Sequence, residues 1–248
     1  MPTLTESRKH LNKLTVSIMG LIWVSAGMAQ EDPIHLSDTL DVQALYEPIP
    51  SLEIHGETAV SLLEELQTKH YRSVEVDDNF SSAIFDSLID TLDGSHIYFL
   101  RSDIDELSQY RYTLDDSLKS GSVEPGFDVY NTYYKRVLER LIYAINRIEN
   151  DIPDMNFAID EYIQLDREDA PYADSVAELD EIWRLRIKNS VLSRRLTGDE
   201  DEEIKDKLSK RYRNQLSQVL KTNERDIFQT FLSTVAKTVD PHTAYFSP

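Results

Sequence analysis

Apolar residues recur along most of this chain at spacings of three and four, the period of an amphipathic helix. The pattern occurs in stretches that begin near Glu57, Asp78, Ser102, Pro125, Ser175, Asp199 and Asn223. The chain has only 7 Gly among its 248 residues, and it has no succession of alternating apolar and polar stretches of the kind that forms sheets. The sequence therefore predicts an all-α domain of about seven helices.

Start and stop signals agree with this division. Ser102 with Asp105 opens the third predicted helix, which we expect to continue to Gly121. Pro125 suits the first turn of a long fourth helix, and Ser175 begins a capping box for the fifth. Gly198 then ends the fifth helix.

The inward faces of these helices supply a predicted core. Burying each large apolar side chain contributes roughly 1.5–3 kcal/mol, so a set of this size can hold one domain together. The predicted core residues are Phe85, Leu88, Leu92, Val137, Leu141, Ile145, Trp183, Ile187, Phe228, Phe231 and Val235.

The remaining segments are patterned differently. Residues 30–53 are punctuated by Pro and are predicted to form an extended arm laid over a helical domain of residues 54–240. Residues 151–174 interrupt the helical pattern, and their composition is compatible with a short strand or with an irregular crossing. Residues 241–248 are predicted to be a connection towards a further domain.

The N-terminus resembles an export signal. Arg8, Lys9 and Lys13 precede the apolar run Leu14–Val24, and small residues that follow predict signal-peptidase cleavage after Ala29. The alternative is a permanent membrane anchor, but the apolar run is shorter than the ~20 residues that a spanning helix needs. We therefore expect a signal peptide over residues 1–29, no membrane span after its removal, and a periplasmic protein.

Composition excludes several classes of function. The formal net charge is −19, which repels nucleic acid and anionic lipid surfaces. The chain has no Cys, so disulfides, thiolate metal sites, cysteine nucleophiles and a lipid-modified N-terminal Cys are excluded.

No pattern of nucleophilic, acid–base or metal-binding residues predicts a catalytic, cofactor or metal site. Apart from His10 in the signal segment, the histidines are scattered and lack metal-ligand spacing: His35, His55, His70, His96 and His242. Lys188 and Ser190, and likewise Ser209 and Lys210, do not face each other on a helix.

Five acids in a row, Asp199–Glu203, are called here the acidic block. The block could bind a cation or a basic partner, but it lacks the alternating ligand spacing of a calcium loop. Acids at a helix start are stabilised by the positive end of the helix dipole. The block is therefore predicted to begin the sixth helix.

Two helix exits are similar to each other. Asp93-Gly-Ser-His96 and Asp240-Pro-His242 both lead into Tyr-Phe, and each Asp can accept hydrogen bonds from backbone N–H groups just beyond it. Two unrelated turns built from ordinary turn residues would produce the same pattern. Tyr245 and Phe246 have no evident partner in the sequence, so the last eight residues are predicted to be poorly packed.

Several collinear stretches together resemble the N-terminal helical region of the tail-specific, carboxy-terminal processing proteases. They are "HYR" at 70–72, "FSSAIFDSLIDTLDGSH" at 80–96, Trp183 with "LTG" at 196–198, and "VDPHTAY" with "SP" at 239–248. The resemblance spans residues 52–248. It implies an exported bacterial serine protease with a Ser/Lys dyad, in which the last stretch leads into a PDZ domain that binds substrate C-termini.

The resemblance also implies what these 248 residues lack. No position corresponds to the Ser or the Lys of the dyad, so no catalytic residue can be assigned and the chain alone is predicted to be inactive. The implied partners are the PDZ and protease domains, together with protein substrates or a periplasmic adaptor. The alternative function is a free-standing, exported helical module that binds other proteins.

Overall fold

The computed structural model describes residues 40–70, 74–243 and 245. Within these ranges the chain forms nine α-helices, two short 3-10 turns and no strand beyond one parallel bridge between Leu100 and Ala173. The helices are α1 (Val42–Leu45), α2 (Glu53–Thr68), α3 (Asp78–Asp93), α4 (Arg101–Leu107), α5 (Leu114–Lys119), α6 (Glu124–Asp151), α7 (Val176–Leu196), α8 (Asp201–Val219) and α9 (Glu224–Val239). The predicted all-α class is confirmed.

Side-chain caps explain several of the boundaries. The Asp77 carboxylate accepts the N–H of Phe80 at the start of α3, and Ser175 Oγ accepts an N–H of the first turn of α7. Asn223 caps α9 in the same way. Beyond the end of α7, Gly198 has a φ of +91°, which a side chain would make unfavourable.

The prediction of one continuous helix from Ser102 to Gly121 is wrong. This segment divides into α4, a 3-10 turn over Ser108–Tyr110, and α5. The backbone N–H groups of Leu114 and Asp115 donate to Ser81 Oγ on α3, which binds the first turn of α5 from outside. A hydroxyl on another helix thus caps the start of α5. No local pattern in residues 102–121 predicts this cap.

Helix α6 is the central element, as 28 residues extend for about 42 Å. Its N-terminal half packs into a buried cluster with α2, α3, α5 and α9, and its C-terminal half into a second cluster with α7 and α8. Ten of the predicted core residues are buried, and Leu92 is partly buried against the first cluster. The core prediction is therefore confirmed, with its residues divided between two clusters.

The helices of the first cluster approach very closely at one point. A Cβ built on Gly56 in α2 would lie 2.1 Å from the carbonyl oxygen of Gly121, the residue that follows α5 by two positions. Gly121 itself has a φ of +75°. Both glycines are thus required where α2 crosses the end of α5.

Two segments outside the long helices are held against α6 and α7. Ile49 exchanges two hydrogen bonds with the Asn131 amide, at 2.9 and 3.0 Å, and helix α2 begins at Glu53 rather than near Glu57. Residues 155–174 cross the surface irregularly and form only the bridge at Ala173.

The predicted signal peptide, residues 1–29, lies outside the described residues. None of the helices in the described ranges is long and apolar enough to cross a membrane.

Candidate functional site

The helix exit after α3 is closed by a buried carboxylate. Asp93 is 2% exposed and accepts the backbone N–H groups of Ile97, Tyr98 and Phe99 at 2.9–3.0 Å. Burial raises the pKa of the Asp93 carboxyl, and the three N–H donors oppose that rise. His96 adopts a φ of +49° so that the chain can reverse around this carboxylate.

The exit after α9 is built in a similar way around Asp240, which is 3% exposed. The carboxylate accepts the His242 N–H at 2.8 Å, and the Asp240 carbonyl accepts the Thr243 N–H at 2.8 Å. The His242 ring lies 3.0 Å from the same carboxylate while its side chain remains 95% exposed. In both exits the Asp thus accepts N–H groups that follow it, as the sequence predicted.

The segment after Asp240 lies on the helical domain. The Tyr245 ring packs edge-on against Phe228 with the ring centroids 5.7 Å apart, and Ser233 Oγ donates to the Tyr245 carbonyl at 3.0 Å. His70 Nε2 lies 3.3 Å from the Thr243 hydroxyl. The prediction that Tyr245 lacks a partner is therefore wrong, because α9 itself supplies one. Phe246 lies outside the described residues.

A stacked histidine lies under this contact. His55 is buried, and its ring stacks on Phe228 at 4.2 Å between centroids. Its Nδ1 accepts the Leu52 N–H at 3.1 Å, so the ring also caps the start of α2. Burial lowers the pKa of His55, and the charge of Glu224 opposes this effect.

The histidines do not form a metal site in the described part of the chain. The four that can be located, His55, His70, His96 and His242, lie in separate contacts. No three side chains of the ligand types converge in the residues described. His35 lies outside them.

The serine and lysine pairs considered from the sequence make no nucleophile–base contact among the described residues. Ser190 Oγ donates to the Arg186 carbonyl at 3.0 Å, and the Lys188 ammonium pairs with Glu161. Ser209 Oγ is buried without a hydrogen-bond partner in the described ranges. Neither serine is hydrogen-bonded to a base there.

The acidic block forms the approach to α8 and its first turn, as predicted. Asp199 lies 3.1 Å from Arg194 and 3.2 Å from Lys207, and the Arg195 guanidinium grips both oxygens of Asp201 at 2.8 Å. Lys207 and then Arg194 lower the pKa of Asp199. Three acids of the block, Asp199, Asp201 and Glu203, are thus paired with bases of their own domain.

One surface feature was not predicted. Two adjoining hollows lie where α6, α7 and α8 meet the segment after α3; we call them the basic cleft. Their volumes are about 330 and about 500 Å³. Their lining residues include Tyr98, Tyr133, Trp183, Arg186, Asn189, Arg211, Tyr212, Asn214, Gln215 and Gln218.

The sequence contains a local signal for the two arginines of the basic cleft. Arg186 and Arg211 have no acid three or four residues away on their helices, unlike Arg184, which has Glu181. Periodicity alone could not show that α7 and α8 bring the two arginines to one surface.

Comparison with known proteins agrees with the resemblance found in the sequence. The family described as the tail specific protease N-terminal domain matches residues 62–248, most of the chain. The tail-specific protease of Haemophilus influenzae is 34% identical over 242 residues, which cover 95% of this chain and 34% of that protein. The chain thus spans about a third of the relative's length. It belongs to the family of tail-specific protease N-terminal domains.

Proposed function

We propose that this chain is the non-catalytic helical part of a periplasmic carboxy-terminal processing serine protease, which degrades proteins with unstructured C-terminal tails. Family membership carries the proposal, supported by the match to a third of the relative's length. The peptidase dyad and the PDZ domain would lie in the other two thirds of such a protease.

In this role the helical domain fixes the direction in which the chain leaves α9. Asp240 is buried at the exit, and Pro241 restricts the backbone there. Tyr245 is held on α9 through Phe228 and Ser233. A domain that follows such an exit would be oriented by the helical domain, which could then restrict access to folded proteins and admit tails.

A chimera tests this role. The matching third of the Haemophilus influenzae protease is replaced by this chain, and cleavage of a folded protein is measured with and without an unstructured C-terminal tail. We expect the chimera to cleave the tailed protein and this chain alone to cleave neither. A soluble chimera that cleaves both proteins equally, or neither, would contradict the proposed role.

Location is tested separately. We expect osmotic shock to release the protein with periplasmic markers, and N-terminal sequencing to begin at Gln30. A protein that keeps Met1 and remains in the cytosolic fraction would contradict export. The alternative, a free-standing interaction module, predicts stable binding of a periplasmic protein together with an inactive chimera.

A further inference from the structure

We propose that the basic cleft binds an extended, acidic segment of another polypeptide chain. The inference goes beyond the proposed function, because such a surface can bind a chain whether or not a peptidase is attached.

The two hollows form one continuous surface, since Tyr98, Arg211 and Gln215 line both. The larger hollow has an apolar wall from Val137, Leu141 and Val219. A groove of this kind can accept side chains of a peptide while its main chain lies along the rim.

Aromatic rings form the floor in an unbroken series. Tyr133 and Tyr98 have centroids 5.5 Å apart, Tyr98 and Trp183 5.6 Å, and Trp183 and Tyr212 6.4 Å. The Trp183 Nε1–H donates to the Ile97 carbonyl at 2.7 Å and fixes the central ring. The floor is thus rigid and apolar, which reduces the entropy lost on binding.

The charge of the lining residues favours an acidic peptide in the basic cleft. Among the described residues no Asp or Glu lines either hollow, although the chain has 45 such residues and the hollows beside α3 and around Glu161 contain several. Arg186 and Arg211 have no carboxylate partner in the described ranges, whereas many other Arg and Lys side chains form ion pairs there. Two guanidiniums are therefore available to carboxylates.

Both guanidiniums are held in place by the floor. The Arg186 Cζ lies 6.0 Å from the Trp183 ring centroid, and the Arg211 Cζ lies 4.7 Å from that of Tyr212. Burial, and then the charge of Arg186, lower the pKa of nearby Arg167, while Glu178 and Asp93 oppose this effect. A guanidinium that lies over a ring face can keep its N–H edges for bidentate contacts with carboxylates.

The rim suits a main chain in extended form. Four amide side chains, Asn189, Asn214, Gln215 and Gln218, line the hollows. Amides can both donate to and accept from the unpaired N–H and C=O groups of an extended peptide. A nucleic acid strand fits less well, because its continuous phosphates would be repelled by a net charge of −19.

Binding is tested with a fluorescein-labelled dodecapeptide of Gly, Ser, Leu, Asp and Glu, titrated with the full exported chain and followed by anisotropy. Matched peptides carry Asn and Gln, or Lys, in place of the acids. We expect the acidic peptide to bind about tenfold more tightly than the neutral one. The Lys peptide is expected not to bind.

Variants locate the site. Arg186→Gln and Arg211→Gln are each expected to weaken binding of the acidic peptide about tenfold. Lys210→Gln is the control, because it removes the same charge from an exposed neighbour that does not line the cleft. Circular dichroism checks that each variant retains its helices.

Three results would overturn the inference. The first is equal affinity for acidic and neutral peptides with the unmodified chain, which requires no variant. The second is an equal loss in Lys210→Gln and Arg211→Gln. The third is displacement of the peptide by oligo(dT) at equal concentration, which would indicate a nucleic-acid surface instead.

Discussion

The exits from α3 and α9 differ more than their sequences do. After α3, Asp93 accepts three successive N–H groups, and the chain that follows is built into both buried clusters through Ile97, Phe99 and Leu100. After α9, the Asp240 carboxylate holds His242, and the chain lies on one surface at Phe228 and Ser233. Similar sequences thus form different turns, one inside the fold and one at its edge.

The difference shows that a short motif can fix a turn without determining how firmly the next residues are held. How firmly these residues are held depends on what packs around the turn. The Tyr98 ring contacts the rings of both Tyr133 and Trp183. Tyr245, at the edge, contacts one ring. We therefore expect removal of the α3 exit to affect the whole fold and removal of the α9 exit to act mainly on the exit itself.

Asp93→Ala is expected to have the largest effect. It leaves three backbone N–H groups at Ile97, Tyr98 and Phe99 without their acceptor, two of them in buried bonds. Since each unsatisfied buried donor costs ~1–3 kcal/mol, we expect a loss of at least about 3 kcal/mol in the free energy of unfolding. Urea denaturation measures it, with the exposed Asp90→Ala as control; equal stability of the two variants would contradict the account.

Asp240→Ala is expected to cost less, about 1–2 kcal/mol, because the turn that it fixes lies at the edge of the first cluster. The local effect should be larger: amide exchange of His242 and Thr243 should accelerate strongly, while the Ile97–Phe99 amides remain unchanged. A global loss as large as that of Asp93→Ala would remove the distinction between the two exits.

Tyr245→Ala removes the edge-on contact with the Phe228 ring and the apolar surface that the Tyr245 ring buries. We expect a loss of about 1 kcal/mol in unfolding free energy, since aromatic pairs contribute ~0.5–1.5 kcal/mol beyond their buried area. Tyr162→Ala is the control, because that ring is 88% exposed. If the two variants are equally stable, Tyr245 does not rest on Phe228 in solution.

The smallest effect is expected from pH, through His55 under the α9 exit. Its folded pKa is lowered by burial, so its contribution to stability is present above the unfolded value near 6.5 and is lost as the pH falls below that value. Protonation would also oppose the Leu52 N–H that donates to Nδ1. Between pH 7.5 and 5.5 the unmodified chain should lose more stability than His55→Gln; identical losses would contradict this role.

The sequence predicted most of the fold because helical periodicity and caps are local signals. Trp183 and Ile187 are buried as their spacing indicated, and Gly198 ends its helix as expected. The break before α5 was missed because it depends on Ser81, more than thirty residues away in sequence. The prediction for Tyr245 was wrong for the same physical reason, because its partner Phe228 is distant in sequence and lies on α9.

The basic cleft was missed because it is formed by three helices. Arg186 and Arg211 are both visible in the sequence as arginines without helical acid neighbours, but only the packing of α6, α7 and α8 brings them to one aromatic floor. The repeated exit motif, in contrast, could be predicted, because an Asp acts on N–H groups within six residues of itself.

Amide hydrogen exchange, resolved by residue, tests most directly the claim that the helical domain itself fixes the chain where α9 ends. We expect Ile97 and Phe99 to exchange most slowly, His242 and Thr243 to be clearly protected, and Tyr162 and Leu165 in the exposed crossing to exchange freely. Exchange of His242 and Thr243 as fast as that of Tyr162 would contradict the claim, and the direction of the exit would then be set by something other than this domain.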